Sequence, residues 1–276
     1  MLRCGHEGGD SRRALLVGLG SLGVALVGQP PAARARAGRG YWPNASRAAV
    51  SLTYDDGLNS QLDNAAPDLD ALGLKATFFL TEENCAERLA DWIKLAREGH
   101  EMADHTVSHP CELKRFRAAD FLRREIAPME SFLDLNLDSG PHNYAYPCGI
   151  EALGAGSPAR GRARYLADLQ PNFLTARGVT GAPNDPRVTV RDRFQLHAFE
   201  PTYDQDDPKL GFAYVDRAIR RGGWAVLVFH EILPKRVGEG DTSVAVHRRI
   251  LNWVVHRPVW CAPMRDVFQH IQQNRI

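Results

Sequence analysis

Ala48-Ala49-Val50-Ser51-Leu52-Thr53-Tyr54-Asp55-Asp56-Gly57 is the stretch on which the reading of this 276-residue chain turns. Over 48–54 it mixes apolar and β-forming residues, then stops on two adjacent carboxylates and a glycine. That is the pattern of a buried strand ending in a polar loop. Two neighbouring carboxylates repel each other, and a bound divalent cation offsets the repulsion directly. A plain turn also explains an isolated Asp-Asp-Gly, so residues farther along must decide.

Outward from this strand, the pattern predicts a helix over 58–72, a strand over 76–81 and an amphipathic helix over 87–98 carrying Leu89, Trp92, Ile93 and Leu95. A short strand follows over 101–105, then a helix over 118–133, a strand over 143–146 and a helix over 162–169. Short strands are expected over 174–176 and 194–198. The helical periodicity of 210–221 is closed by Gly222-Gly223, and 224–229 is an almost continuously apolar strand. Helix, strand and helix complete the chain over 243–255, 259–261 and 264–273. Repeated strand-helix alternation implies an α/β fold with parallel strands covered by helices, as an open doubly wound sheet or a closed barrel. Asp55, Asp56, His105, the turn at Pro147 and His230 all fall just past strand ends, and a barrel brings such positions together at one mouth.

His105-Thr106-Val107-Ser108-His109 places two histidines four apart, which on one helical turn share a face and can chelate one metal ion. His230 ends the most apolar strand. A buried structural histidine is the plain explanation there. An imidazole, whose unperturbed titration lies near neutrality, is also suited to hand a proton to a leaving amine. Each element is weak alone; their conjunction at successive strand ends points to a metal hydrolase.

Thr53-Tyr54-Asp55-Asp56-Gly57, His105 to His109, Tyr146-Pro147-Cys148-Gly149 and Val228-Phe229-His230 resemble four ordered motifs of the polysaccharide deacetylase family, the NodB-homology enzymes. The Trp260 region also suits that family. The resemblance implies a distorted (β/α) barrel of about seven parallel strands, with its active site at their C-terminal ends. It implies removal of N-acetyl groups from an amino-sugar polysaccharide. By position, Asp56, His105 and His109 are the implied ligands of a divalent metal, zinc by preference, and Asp55 is the base that helps a metal-bound water attack the acetamide. The backbone N-H of Cys148 is the implied oxyanion donor. His230 is the implied acid, Tyr146 and Pro147 line the substrate site, and Val228 helps form a pocket for the acetyl methyl group.

The chain also departs from that pattern. Where many members carry an arginine paired with the base, it has Ala145, and Arg177 is the substitute expected here, against the alternative of a structural arginine. The family's usual Asp partner for the acid histidine is not evident; Asp185 and Asp192 are the candidates. Cys148 stands in for a commoner aromatic residue.

Ser11-Arg12-Arg13 precedes an apolar run from Ala14 to Gly28 that is short for a membrane span. Small-x-small sites follow, so 1–37 reads as a signal peptide of twin-arginine type, with an ordinary secretory leader or an uncleaved anchor as alternatives. Removing it takes out five arginines and two acids and moves the formal charge from +1 to −2. The remaining 38–276 is expected to be a single catalytic domain, exported to the periplasm or outside a bacterium and without stable membrane insertion. No basic stripe points to nucleic acid. A bridge between Cys85 and Cys111 is one expectation in an oxidising compartment, and free buried thiols are the other. Two further functional readings stand beside N-deacetylation: an O-acetyl esterase on xylan-type glycans, since the same nucleophile can attack either carbonyl, and a catalytically silent carbohydrate-binding protein.

Overall fold

Alternation along the first strand sorts the whole molecule. In the computed structural model, which describes residues 40–137 and 140–276, β1 (Ala48–Asp56) buries side chains on both faces. Val50, Leu52 and Tyr54 pack outward with Phe78, Leu80, Met102 and the covering helices, while Ala49 packs inward with Phe79, Ala103, Ala145, Val226 and Val228. This two-residue period follows from the strand geometry. The expected leader, 1–37, lies outside the described residues.

β2 (Thr77–Leu80), β3 (Glu101–Asp104), β4 (His142–Ala145), β5 (Phe173–Arg177) and β6 (Trp224–Phe229) join β1 in one parallel sheet of order β5-β4-β3-β2-β1-β6. β7 (Ile232–Leu233) and β8 (Thr242–Ser243) form a separate small pair. β9 (Val259–Cys261) pairs with β1 at Ala48 to Val50, on the residues that precede its pairing with β2. The sheet is curled, and the distorted barrel expected from the sequence is the fold observed.

The expected strand 194–198 is not a regular one. Leu196 N donates to Ala176 O at 3.0 Å and Gly178 N to Leu196 O at 2.9 Å, after which Phe199 exchanges two 3.0 Å bonds with Val226 and Val228. The segment therefore changes partner midway, from β5 to β6, and sustains a ladder with neither. It spans the gap between the two ends of the strand order.

Two expected helices are also interrupted. Gln61–Ala65 and Leu122–Ile126 are π-helical, and each runs into an α-helix with a proline near its start, Pro67 in Ala66–Asp70 and Pro128 in Ala127–Asn136. A proline has no N-H to give and its ring crowds the preceding turn, so the ladder widens there.

The barrel interior also holds a polar cluster. Thr77 Oγ1 and Asn143 Nδ2 donate to the Glu101 carboxylate at 2.8 and 2.6 Å, and Thr175 Oγ1 donates to Asn143 Oδ1 at 2.6 Å. Arg265 N closes this floor on Glu101 Oε2 at 3.0 Å. Buried polar groups are tolerated only when satisfied, and these bonds run strand to strand beneath the mouth. Outside the barrel, Tyr54 Oη meets His247 Nε2 at 2.7 Å, and His247 Nδ1 meets Asp68 Oδ2 at 3.2 Å. This clamps β1 to the helices Ala66–Asp70 and Val244–Val255.

Candidate active site

Adjacent strand residues face opposite sides, so Asp55 and Asp56 ought to diverge. They do not, because Asp56 has φ +77°. That left-handed turn, which costs a non-glycine residue about 1–2 kcal/mol, brings Asp56 round to the mouth beside Asp55. Gly57 continues it at φ +69°, and a Cβ there would meet Leu80 Cδ2 at 3.2 Å. Thr81 Oγ1 and Asn84 Nδ2 both donate to the Asp56 carbonyl at 3.0 Å, fixing the turn.

His105 follows β3 and is buried. Its Nδ1 donates to Ala145 O at 3.0 Å, leaving Nε2 3.5 Å from Asp56 Oδ1 and 3.8 Å from Asp55 Oδ2. A backbone carbonyl on one ring nitrogen fixes the tautomer and aims the other. Residues 105–109 are not the helical turn expected from the spacing. Asp104 Oδ1 accepts from Thr106 N at 2.7 Å, and Thr106 and His109 sit at φ +72° and +51°. Glu125 takes both the N-H and the hydroxyl of Ser108. These side-chain bonds compete with a helix and win. The loop still brings the two imidazoles together, with ring centroids 4.6 Å apart and His109 Nε2 3.7 Å from Asp56 Oδ1.

One donor atom each from Asp56, His105 and His109 lies within 4.8 Å of the others, and Asp56 Oδ1 is a buried oxygen with no hydrogen-bond donor. Burial pushes His105 down to about 4 against the opposing pull of Asp55 and Asp56, so its ring is neutral near pH 7. An orphaned carboxylate oxygen facing two imidazoles, one of them held neutral, fits a divalent cation of the zinc type.

Arg177, at the end of β5, is fully buried and bonds Asp55 Oδ1 through Nη2. It lies 4.3 Å over the Phe79 ring and within 3.4 Å of Thr53 Oγ1. Burial alone would raise the Asp55 carboxyl; the Arg177 guanidinium, with His105 and His230, more than offsets that and holds it below its ordinary value. Arg177 is the register partner, on the neighbouring strand, of Ala145, the position at which the sequence resemblance implies an arginine.

Gln61, which carried no signal in the sequence, donates to the Asp55 carbonyl at 2.5 Å and to the His230 carbonyl at 3.2 Å. It ties the neighbouring ends of β1 and β6 together. His230 lines the same cavity, of about 560 Å³, as Asp55, His105, His109, Tyr146 and Cys148. Its Nδ1 is buried without a protein partner.

Asp185 and Asp192 are spent elsewhere, on Arg187 and Arg191, and neither reaches the cavity. Besides Asp55, the carboxylates that do are Glu200 and Asp204, and Glu200 is the one that interacts with His230. Burial raises the Glu200 carboxyl, and the nearby His230 pulls it back down. It stands just past the segment 194–198, so the strand-end logic that marked the other residues marks it as well.

Val228 and Pro147 are both buried and neither lines the cavity. Val228 lies one pleat repeat below His230, in the barrel interior. The apolar walls come instead from Val179, Phe199 and Leu210. Cys148 occupies φ +53°, and its N-H meets no acceptor among the described residues. It is bridged to Cys111, while Cys85 is free and buried. The expected Cys85–Cys111 pair does not form, because Cys85 packs into the core beneath Gly57 and Cys111 extends toward the loop after β4.

Residues 43–153 match the family model for polysaccharide deacetylases. A peptidoglycan-N-acetylglucosamine deacetylase of Bacillus cereus is 45% identical over 69 residues, a match covering 24% of this chain and 24% of that protein, so the likeness spans about a quarter of each. Among solved structures, a Mycobacterium smegmatis protein assigned to the polysaccharide deacetylases superposes with a TM-score of 0.62 at 18% identity, over 85% of this chain and 94% of that one. A peptidoglycan N-acetylglucosamine deacetylase in complex with 4-naphthalen-1-yl-N-oxidanyl-benzamide gives 0.54 at 20% identity, over 80% and 88%. These two likenesses establish the fold.

Proposed function

We propose that this chain, which belongs to the polysaccharide deacetylase family, is a metal-dependent enzyme that hydrolyses N-acetyl groups on an amino-sugar glycan outside the bacterial cytoplasm. One observation carries the reading: the orphaned Asp56 Oδ1 faces His105 and His109 beside the arginine-gripped Asp55, and those two histidines line one cavity with Asp55 and His230.

Asp56, His105 and His109 would hold the cation. When bound, it supplies Lewis-acid polarisation of the acetyl carbonyl and makes water more acidic. Asp55, kept ionised by Arg177, accepts the proton of the attacking water. The Cys148 N-H, with no protein acceptor, donates to the carbonyl oxygen as negative charge develops on it. His230 gives its proton to the amide nitrogen as the C-N bond breaks, so that acetate and a free amine leave. Gln61 holds the backbones of base and acid side by side.

No helix among the described residues is long and apolar enough to cross a membrane. The Cys111–Cys148 bond supports an oxidising compartment, in keeping with export through the 1–37 leader.

The test is acetate release from peptidoglycan, chitin oligosaccharides and acetylxylan by protein stripped with chelator and then reloaded with zinc. Release from the N-acetylated substrates that vanishes on stripping and returns on reloading is the expected result. Release from acetylxylan alone would make the protein an ester hydrolase, and tight glycan binding without release would make it a binding protein.

A further inference from the structure

Cys111 takes no part in the steps above, yet its side chain joins the two loops that meet the acyl oxygen. We propose that Cys111 is a positioning residue, which through its disulfide holds the Cys148 N-H in register with the metal-ligand loop. This rests on the deacetylase reading and deepens it.

The sheet alone gives these loops little common support. β3 and β4, which they follow, share only the Asp104–Tyr144 register pair, whereas β1 and β2 share four such pairs. Both loops also pass through left-handed residues: Thr106 and His109 on one side, Cys148 and Gly149 on the other. Non-glycine residues hold that conformation only where their surroundings fix it. On the first loop, Thr106 Oγ1 accepts from His109 N at 3.0 Å and Glu125 holds Ser108. On the second, the Cys148 side chain is exposed, and its partner is Cys111, 37 residues earlier.

Cys111 stands two residues beyond His109, and its Sγ lies 3.9 Å from His109 Nδ1, on the ring edge opposite the nitrogen that faces Asp56. The disulfide therefore abuts a metal-ligand ring at one end and carries the oxyanion donor at the other. A carbonyl oxygen must meet the cation and the N-H together, so the spacing of the two loops is a catalytic dimension. Misplacement of such a group by an ångström lowers a rate by about 10²-fold, and complete loss of one donor by about 10²–10³-fold.

The experiment opens the bond in two ways: Cys111→Ser, and treatment of the wild-type protein with a phosphine, which is oxidised to its oxide while both sulfurs become thiols. Thiol titration confirms the open bond, circular dichroism the fold, and metal analysis the zinc content. We expect kcat on chitin oligosaccharides to fall about tenfold or more, with KM and zinc content unchanged and recovery on reoxidation of the wild type. Affinity of the zinc-loaded protein for acetate should fall in parallel, a readout that needs no turnover. Unchanged kcat and acetate affinity with the bond open overturn the proposal, even if thermal stability drops. Absence of acetate release by the oxidised wild type on every glycan would count against the deacetylase reading, and the acetate titration would still decide the role of Cys111.

Discussion

Asp55 and His230, the residues proposed as base and acid, line one cavity but are held in opposite ways. Asp55 is gripped by its side chain: Arg177 bonds its carboxylate, itself packs over the Phe79 ring, and lowers the carboxyl against the pull of burial. His230 is gripped by its backbone, through Gln61 on its own carbonyl and Ser60 on Ile232 N, while its Nδ1 is a buried orphan. Glu200 acts on it only through space, and one of its own oxygens is likewise buried and unpaired. The contrast suits the reaction. A base must be ionised before substrate arrives, so its charge is fixed in advance. An acid must surrender a proton late, and a ring whose Nδ1 has no protein partner is not committed to one before the leaving nitrogen arrives.

Three substitutions separate the arms, in falling order of expected effect. His230→Gln removes the proton donor and should lower kcat by about 10²–10⁴-fold, with glycan affinity retained, as comparison of turnover with binding to the stripped protein will show. Loss of binding to the same extent would make His230 a substrate ligand instead.

Arg177→Met keeps the bulk and removes the charge. The sign is set by the forces on Asp55: without the guanidinium, desolvation is left less opposed, so the carboxyl rises. The acidic limb of the kcat/KM profile should move to higher pH, and kcat at neutral pH should fall by about 10²-fold as the base loses its orientation. An unmoved limb would leave Arg177 a packing residue. The same pairing predicts a stability effect: a depressed Asp55 stabilises the fold above its unfolded-state pKa, and that contribution disappears as pH falls through the folded value. Acid unfolding of Arg177→Met should accordingly show a shallower pH dependence on this limb.

Glu200→Gln tests the weaker arm. A through-space attraction without a contact is worth about 1 kcal/mol or less, so a change in kcat of roughly fivefold or less is the expected size. A loss as large as that of His230→Gln would mean that Glu200 touches the substrate.

How legible each arm was follows from how local its signals are. Asp55, Asp56, His105 and His230 could be placed because a parallel barrel exposes strand ends at one mouth, and the strands announce themselves by apolar runs such as 224–229. The gap at Ala145 only raised Arg177 as a substitute, with a structural arginine as the alternative. The residues that escaped depend on tertiary events. Gln61 works from a π-turn that Pro67 imposes six residues later. Glu200 follows a segment that exchanges one strand partner for another and so leaves no clean period. The helical turn expected for 105–109 lost to the side-chain bonds of Asp104 and Glu125, and the partner of Cys111 was decided by which loop the barrel brings opposite it.

The division of labour between the two adjacent aspartates is the centre of the account, and Asp55→Asn tests it most directly. Zinc content and acetate release from N-acetylated oligosaccharides should be measured on the same preparation. Full zinc occupancy with acetate release lowered by about 10²–10⁴-fold is the predicted result. Release at the wild-type rate, or loss of the zinc itself, would contradict it.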